Sequence, residues 1–432
     1  MSLQFINIYS VGDYTFQTVT KFFNANLNNM NKDSILLFTK DAFPVDYLPC
    51  YGNKYWKGKT PNFDELAEKG TLYTRFYTAA PSSAMAYMAM FTGKYSYEQN
   101  IKAYTPLVKS YEGETLFDKA RKRGFTCHVM WDEIWMSTSY KHSLCYGEGT
   151  LFHPMKGLRQ GVGFHYQHEG FLQPSIEKEE STLKMIEDEI KKIMESGKVF
   201  LWFHLPHVIN GRVGYGSDID LHDKVLGIMR KYFEDTNIYI SADHGNMNGH
   251  KGILGYGFHV YEPAIRIPLI TPRKAGLKVC NDLLSNIDWD KIIFGGDEIP
   301  TRDIVISDCA YYAQPKRRTA FIYDKYRYIY NKSSKLEELY DIEWDPNQHF
   351  NLMDDKCYDP DRRVVNISRE LYFYPEWENL PPIRDKLRAE KDRIWREEDK
   401  SQKAMNSIIK LLKRNNSIRT FCRNMIKKIN SK

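Results

Sequence analysis

Short runs of apolar residues recur along this 432-residue chain, separated by longer amphipathic stretches. Several of the runs are rich in β-branched and aromatic residues and are too short to be helices. Such runs are typical of strands that are buried on both faces of a parallel sheet. The clearest strand predictions are 34–40, 124–131, 198–204 and 237–242.

The stretches between these strands predict helices, several with recognisable ends. Pro61 suits the first turn of one helix and Gly70 closes it, while Gly93 closes an apolar helix that begins after Ser83. Strands that alternate with helices indicate an α/β fold. We therefore expect a large, mostly parallel central sheet with helices on both faces.

The pattern changes near Arg318. Residues 319–330 and 336–342 alternate between apolar and polar positions, which predicts a small antiparallel sheet. Past Pro382 the chain is charged and helical in character. We therefore expect a catalytic α/β domain over 1–310, an antiparallel subdomain over 311–380 and a helical basic tail over 381–432, with a hinge near Gly295-Gly296.

Candidate chemical groups follow the predicted strands. Asp243 and His244 come directly after one strand, Asp41 follows another, and His204-Leu-Pro-His207 ends a third. Open α/β sheets hold their ligands at the carboxyl ends of the strands. These residues therefore predict a metal or acid/base site, the alternative for Asp243 and His244 being a solvated turn.

Two serines, Ser82 and Ser83, stand where the apolar helix begins. Serine is a common helix N-cap, which is one interpretation. The other is a nucleophile whose developing charge is stabilised by the helix N-terminus and a metal ion.

Composition and charge narrow the classes of function. The chain carries 61 Lys and Arg against 55 Asp and Glu, a net charge of +6 that does not argue for nucleic acid as a partner. Seven scattered cysteines without a CxxC pair suit reduced thiols. With neither a secretion signal at the N-terminus nor an apolar run long enough to span a membrane, we expect a cytoplasmic protein.

The C-terminal segment is strongly basic. Residues 400–432 contain ten Lys or Arg and no Asp or Glu, interleaved with apolar residues. This pattern favours peripheral contact with an anionic inner membrane leaflet, or else a solvated basic end.

An ordered set of short motifs carries a family resemblance. After the first strand and its Asp come Tyr-Leu-Pro-Cys-Tyr-Gly-Asn, Thr-Pro-Asn-Phe-Asp-Glu-Leu-Ala-Glu-Lys-Gly, Phe-Thr-Gly-Lys, His-Leu-Pro-His and Ser-Ala-Asp-His-Gly, beginning at residues 47, 60, 91, 204 and 241. Together they resemble the sulfatase-like branch of the alkaline phosphatase superfamily, over approximately residues 34–355. That branch includes arylsulfatases, phosphonate monoester hydrolases and phosphoethanolamine transferases.

The chain departs from the family pattern in two places. Sulfatases modify a Cys or Ser in Cys/Ser-x-Pro-x-Arg to formylglycine, and around Pro81 this frame has Ala79 at the modified position and Ser83 at the Arg position. The motif of the phosphoethanolamine transferases fits better, and it aligns Ser83 with the nucleophilic Thr of that family. Tyr256 stands where a His is common, so that His250 or His259 would substitute for it.

The resemblance implies a divalent metal site with a mixed oxygen and nitrogen ligand set, which favours zinc or manganese over calcium or magnesium. The implied metal ligands are Asp41, Ser83, Asp243 and His244. The implied groups for neutralising ester oxygens or protonating the leaving group, beside Ser83 as nucleophile, are His204, His207, His250 and Lys94. The implied substrate contacts are His250, His259, Tyr256 and Ser82.

From these residues we expect a metal-dependent hydrolase or transferase of phosphate mono- or diesters that acts through a covalent seryl intermediate. Its substrate would be a small molecule, a surface glycan or a lipid-linked ester. The alternatives are a sulfatase that uses unmodified serine, and a catalytically silent member that binds an anionic glycan.

Overall fold

The computed structural model describes the chain in segments, and every structural statement below refers to them. They are 32–52, 59–98, 111, 113–132, 146–156, 158, 165–167, 170–172, 176–206, 219–309, 317–353, 358–359, 364–367 and 370–396. The candidate residue His207 and the basic segment 400–432 lie outside the described residues. The predicted membrane contact of that segment therefore stays a prediction.

The strands are short and lie along the whole described chain. They are β1 Ile35–Lys40, β2 Thr71–Tyr73, β3 Phe76–Tyr77, β4 Thr126–Asp132, β5 Leu151–Met155, β6 His165–Gln167, β7 Gly170–Leu172, β8 Val199–Leu205, β9 Ile238–Ala242, β10 Leu269–Thr271, β11 Val279–Cys280, β12 Leu284–Ser285, β13 Val305–Asp308, β14 Arg318–Tyr323, β15 Tyr326–Asn331, β16 Glu337–Asp341, β17 Tyr358–Asp359, β18 Val364–Ile367 and β19 Glu370–Phe373.

Helices separate most of the strands of the main sheet. They are α1 Pro61–Lys69, α2 Ser83–Thr92, α3 Leu116–Lys122, α4 Ile176–Met194, α5 Ile219–Met229, α6 Glu262–Ile265, α7 Trp289–Phe294 and α8 380–396. Single 3-10 turns occur at Val45–Tyr47, Pro49–Tyr51, Asp235–Asn237, His250–Gly252, Asn286–Asp288 and Trp377–Asn379.

The main sheet has eight strands in the order β11-β2-β10-β9-β1-β8-β4-β5. Five neighbouring strands, from β9 through β5, are parallel, while β10 runs antiparallel to both its neighbours. Helices α1, α4 and α5 pack together, and α2, α3 and α7 form a second group. The predicted α/β fold with a mostly parallel sheet is confirmed.

The centre of the sheet determines where the site lies. Strand β1 is buried along its whole length and pairs with β8 on one side and β9 on the other. In this register Lys40 at the end of β1 is opposite Ala242 at the end of β9. Asp41 and Asp243, each the next residue, therefore emerge side by side at the same edge of the sheet.

The small C-terminal sheet is confirmed, with two corrections. The run 319–330 is two strands, because the chain turns at Asp324, whose φ is +46°. Strand β13 pairs with β14, so that the sheet begins before the expected boundary at residue 310. Helix α8 packs against this sheet through Leu380, Leu387 and Ile394, so the first part of the predicted basic tail is structured.

The segment 277–306 includes the Gly295-Gly296 pair, where the sequence predicts a hinge. It contains two short strands and the six-residue helix α7, which Gly295 closes by an N–H donated to the carbonyl of Lys291 at 2.9 Å. Short edge strands such as β11 and β12 carry too few residues for a periodic signal.

No helix in the described part of the chain is long and apolar enough to cross a membrane.

Gly245 fixes the loop after β9 against α6. The N–H of Gly245 donates to the carbonyl of Ala264, and the N–H of Asn246 donates to the carbonyl of Pro263, both at 2.9 Å. A Cβ at position 245 would lie 2.0 Å from the Pro263 oxygen, so only glycine fits.

We predict that Gly245→Ala lowers the free energy of unfolding in urea by about 1–3 kcal/mol, the cost of overpacking a close contact. The matched control is Gly227→Ala in α5, where the nearest atom to the added Cβ is a side-chain nitrogen, Asn62 Nδ2 at 2.9 Å, rather than backbone. That variant should lose less stability than Gly245→Ala, since a side chain yields more readily than backbone and alanine favours the helix. Equal stability of the two variants would contradict the close contact at Gly245.

Candidate active site and metal centre

The carboxyl ends of β1 and β9 bring two acidic residues and one histidine together. Asp41, Asp243 and His244 are all buried, and one ligand atom from each lies within 4.8 Å of the others. Asp41 is held in place from β8, because its N–H donates to the carbonyl of Leu205 at 3.0 Å. The metal set predicted from strand ends is therefore assembled around the central strand.

Each carboxylate presents an oxygen without a protein partner. Asp243 Oδ1 accepts from the N–H of Ala42 at 3.1 Å and from the N–H of His244 at 2.7 Å. Its second oxygen, Oδ2, and Asp41 Oδ1 are buried with no hydrogen-bond partner in the described structure. Buried carboxylate oxygens in this condition are costly unless a cation compensates their charge.

Backbone hydrogen bonding fixes the orientation of the His244 ring. Its Nδ1 lies 2.8 Å from the carbonyl of Gly245, which can only accept, so Nδ1 carries a hydrogen. In the neutral ring Nε2 then presents its lone pair, 3.6 Å from Asp41 Oδ1 and 3.5 Å from Asp243 Oδ2. A hydrogen bond from one ring nitrogen to a backbone carbonyl is typical of metal-ligating histidines.

These three residues fit a divalent cation. Two carboxylate oxygens without partners and an imidazole lone pair converge, and the set has the oxygen and nitrogen chemistry expected from the sequence. A solvated turn, the alternative for Asp243 and His244, is wrong because both side chains are 0% exposed. Which cation binds stays a prediction, with zinc or manganese favoured.

Helix α2 points its N-terminus at this group. Ser82 is the N-cap residue, with an extended φ of −152°, but its side chain makes no capping hydrogen bond. Ser82 Oγ is buried without a partner in the described structure, whereas Ser83 Oγ lies 3.1 Å from His244 Nε2. Neither serine side chain serves as a helix cap, and Ser83 faces the metal ligands.

This geometry corrects the frame chosen for the formylglycine motif. Ala79 is engaged elsewhere, since its N–H donates to Asn286 Oδ1 at 2.8 Å and its carbonyl accepts from the N–H of Asp308 at 2.9 Å. Ser83 is the residue that faces the metal ligands, so the motif Cys/Ser-x-Pro-x-Arg is aligned with its first position at Ser83. The first position is then serine, with Met85 in place of Pro and Tyr87 in place of Arg.

Tyr87 is a site residue that the sequence did not indicate. It lies one turn after Ser83 on α2 and is fully buried, and its hydroxyl lies 2.7 Å from His204 Nε2. Burial raises the pKa of the Tyr87 phenol well above its ordinary value, and the charges of Asp243 and Asp41 add to the rise. The spacing of four residues, which places two side chains on the same helix face, was the only signal available.

Two predicted catalytic residues do not have the expected position. His204 is 0% exposed, with Nδ1 2.7 Å from Thr39 Oγ1 and Nε2 2.7 Å from the Tyr87 hydroxyl, so it does not face substrate. Lys94 is exposed beyond the far end of α2, about 15 Å along the helix from Ser83 at 1.5 Å per residue. Both predictions of direct contact with an ester are wrong.

The predicted substrate contacts Tyr256, His250 and His259 lie in two different places. Tyr256 packs on His244 with 4.5 Å between ring centroids, so it borders the metal site. His250 and His259 lie against Tyr261 instead, with centroid distances of 6.1 and 5.7 Å. Burial, together with Arg318, lowers the pKa of His259 to about 4, and burial together with Lys251 lowers that of His250.

A mostly parallel α/β sheet whose strand ends present an Asp-Asp-His group to a serine at a helix N-terminus is the arrangement that the resemblance to the alkaline phosphatase superfamily implies. The comparisons with known proteins agree with this resemblance. Residues 33–208 match the family model Sulfatase. A 75-residue stretch is 37% identical to arylsulfatase D of Homo sapiens, and this stretch covers 17% of the chain and spans 12% of that relative's length.

Solved structures of sulfatase-like proteins share the fold. The chain is similar to a 2-O GAG sulfatase with a TM-score of 0.60 and 14% identity, over 86% of this chain and 94% of that one. It is also similar to a phosphonate monoester hydrolase of Agrobacterium radiobacter, with a TM-score of 0.57 and 15% identity, over 74% and 91% of the two chains. The chain is therefore similar to sulfatases in sequence over residues 33–208, and it shares the fold of these solved structures.

We predict that the purified protein binds a divalent cation that stabilises the fold. Zinc or manganese at about 100 times its dissociation constant should add about 2.7 kcal/mol to the free energy of unfolding, and a chelator should remove this gain. Asp41→Asn and Asp243→Asn should lose the gain. Without metal they should unfold at or above the parent temperature, because one of two neighbouring buried charges is removed.

The matched control is Asp46→Asn, which changes the same residue type in the same loop but outside the metal ligand set. It should keep the full metal-induced shift in a thermal unfolding experiment. A shift that survives in Asp41→Asn and Asp243→Asn would contradict the assignment of these ligands.

Proposed function

We propose that this chain is a metal-dependent hydrolase or transferase of phosphate esters, including diesters, with Ser83 as the covalent nucleophile. The observation that carries the proposal is the position of Ser83 Oγ, 3.1 Å from His244 Nε2 at the N-terminus of α2. In the family frame that begins at Ser83, serine stands without the Pro and Arg of the formylglycine motif. A serine without this Pro and Arg favours phosphoryl transfer by an unmodified hydroxyl over sulfuryl transfer.

The first half of the reaction forms the seryl ester. The Ser83 hydroxyl loses its proton to solvent and its oxygen attacks phosphorus, while the bond from phosphorus to the leaving oxygen breaks and that oxygen is protonated. A divalent cation held by Asp41, Asp243 and His244 would lower the pKa of the hydroxyl and polarise a non-bridging ester oxygen. Backbone N–H groups at the start of α2 face the same region and stabilise negative charge there.

The second half releases the product. Water, or an acceptor hydroxyl if the protein is a transferase, attacks phosphorus, the bond to Ser83 Oγ breaks, and the serine regains a proton. Ser83 and Ala84 are partly exposed whereas the rest of α2 is buried, so substrate has access to this end of the helix alone. Burial of the carboxylates and of His244 keeps water out of the ligand set.

A sulfatase that uses unmodified serine is the second candidate. It is supported by the Sulfatase model match over 33–208 and by the similarity to arylsulfatase D. A glycan ester is the substrate class we propose in either case, because one fold neighbour is a sulfatase of GAG. The silent alternative has less support, since all three metal ligands and the serine are present.

We predict that Ser83→Ala lowers turnover of nitrophenyl phosphodiesters by about 10³-fold or more, as removal of a covalent nucleophile does. The control is Ser196→Ala, an exposed serine after α4, which should keep parental rates. Full activity of Ser83→Ala would overturn the assignment of the nucleophile.

The same assay decides between the two ester classes. With metal-loaded parent protein, we expect kcat/KM for a nitrophenyl phosphodiester to exceed that for nitrophenyl sulfate. The reverse order, with both activities lost in Ser83→Ala, would establish the sulfatase alternative.

A further inference from the structure

A cavity of about 460 Å³ lies between loops of the main sheet and the segment that follows β16 of the small C-terminal sheet. Its wall takes residues from the loop after β1, the turn after β9, helix α6 and the segment 342–349. None of the described residues that line it is a metal ligand proposed above or a serine of α2. Cavities of this size hold small ligands, and they often lie where two substructures meet. The cavity is therefore a second candidate binding site.

The wall of this cavity is rich in basic side chains, namely His250, Lys251, Arg266 and His349. After burial, the charges of Lys251 and His349 are the largest causes that lower the pKa of His250, so these three groups lie near one another. Arg266 donates its Nε–H to the carbonyl of Thr74 at 2.9 Å. Neither Lys251 nor Arg266 lies within ion-pair distance of a carboxylate in the described part of the chain. Both cations can therefore bind an anion from outside the protein.

The acidic residues of the wall offset only part of this positive charge. Glu262 already forms an ion pair with the buried guanidinium of Arg327. Asp46 is the other acidic residue among the described residues of the wall. Lys251 and Arg266 together therefore leave one positive charge that Asp46 does not balance, and protonation of either histidine adds to it.

The position of Lys251 is fixed by its surroundings. Its φ of +54° is in the left-handed region, which is rare for residues other than glycine and is often found at ligand sites. Its Nζ lies 5.0 Å from the ring centroid of Tyr261 and 4.8 Å from that of Tyr340, which are cation–π distances. Burial lowers the pKa of Lys251, and the charges of Glu338 and Asp345, which do not line the cavity, partly offset this effect. The ammonium group is therefore held beside the cavity rather than extended into solvent.

Groups that suit hydroxyls complete the wall. The side-chain amides of Asn248 and Asn347 line the cavity together with Asp46. An amide both donates and accepts hydrogen bonds, and an ionised carboxylate accepts them. The wall therefore matches a ligand that carries one anionic group and several hydroxyls.

Two segments of the wall begin close to the metal ligands. Residues 44–46 start three positions after Asp41, and residues 247–251 start three positions after His244. The two segments are joined where the N–H of Phe43 donates to the carbonyl of His244 at 2.8 Å. A ligand in the cavity therefore contacts the same loops that carry the metal ligands.

We propose that this cavity binds an acidic sugar unit, that is, a hydroxylated ring that carries a carboxylate, phosphate or sulfate group. Arg266 and Lys251 bind the anionic group, because guanidinium and ammonium groups both donate charge-assisted hydrogen bonds to such oxygens. Asp46 and the two amides bind the hydroxyls. The inference goes beyond the proposed function and does not rest on Ser83. The unit is either a second part of the ester substrate or a separate small molecule.

The first test measures the binding of glucuronate, which is not an ester, to the metal-loaded full-length protein by isothermal titration calorimetry. We expect saturable binding, and at least about tenfold weaker binding of glucose, which lacks the charge. Lys251→Gln and Arg266→Gln should each weaken glucuronate binding by about tenfold or more, as loss of a charge-assisted hydrogen bond does. Because Arg266 also bonds to Thr74, thermal unfolding checks that variant, and Lys251→Gln decides alone if Arg266→Gln is unfolded.

The matched control is Lys335→Gln, since Lys335 is an exposed lysine that also has a left-handed φ, of +61°, and does not line the cavity. It should keep the parental affinity for glucuronate, and so should Asp243→Asn, which removes a proposed metal ligand. Absence of saturable binding, equal affinity for glucose, or parental affinity in the folded variants of Lys251 and Arg266 overturns the inference. Loss of binding in Asp243→Asn overturns it as well, because the carboxylate would then be bound by the metal.

Kinetics separates the two sources of the acidic sugar. We would compare nitrophenyl phosphodiesters whose second alcohol is either methanol or a hydroxyl of glucuronate. A lower KM for the glucuronate diester that is lost in Lys251→Gln but kept in Lys335→Gln supports a second part of the substrate. Equal KM values, with glucuronate binding retained, support a separate small molecule. Full activity in Ser83→Ala overturns the proposed nucleophile and leaves the calorimetric result unchanged.

Discussion

Two carboxylates that lie close together in a water-poor interior govern the organisation of this molecule. Asp41 and Asp243 follow neighbouring parallel strands, and the register of β1 with β9 allows them no separation along the sheet. Backbone N–H groups satisfy one oxygen of Asp243, but an inward-facing oxygen of each residue has no protein partner. Such an arrangement is costly unless a cation compensates its charge. The order and register of the strands therefore bring the candidate metal ligands together.

The remaining parts of the site are fixed relative to that pair. His244 is oriented by the carbonyl of Gly245, and Gly245 is held against α6. The buried face of helix α2 packs Tyr87 and Phe91 against Trp202 of β8. Ser83, the proposed nucleophile, therefore lies on a packed helix rather than in a loop, which suits a reaction that depends on positioning.

Much of the fold and part of the candidate site could be predicted from the sequence, for physical reasons. Strands buried on both faces leave continuous apolar runs, so β1, β4, β8 and β9 could be predicted. Asp41, Asp243 and His244 stood out because they directly follow two of these runs. The short strands β2 and β11 could not be predicted, because two or three residues carry no periodicity. The small antiparallel sheet was visible from its alternation, although the turn at Asp324 within it was not.

The site predictions that failed depended on side-chain direction. His204, like Asp41, comes near the carboxyl end of a buried strand. It still lies within β8, however, and its side chain enters the aromatic core. Tyr87 looked like an apolar residue of a buried helix, and only the three-dimensional structure shows that its hydroxyl contacts His204. Lys94 belonged to a matching motif, yet the length of α2 separates it from the reacting end.

The most direct test of the account is mass spectrometry of the peptide that contains Ser83, from the metal-loaded protein quenched during turnover of a phosphodiester. The account predicts an unmodified serine in the resting protein and a phosphoryl group on Ser83 in the quenched sample, absent from Asp243→Asn. A resting mass that corresponds to formylglycine, or a phosphoryl group on any residue other than Ser83, would contradict it.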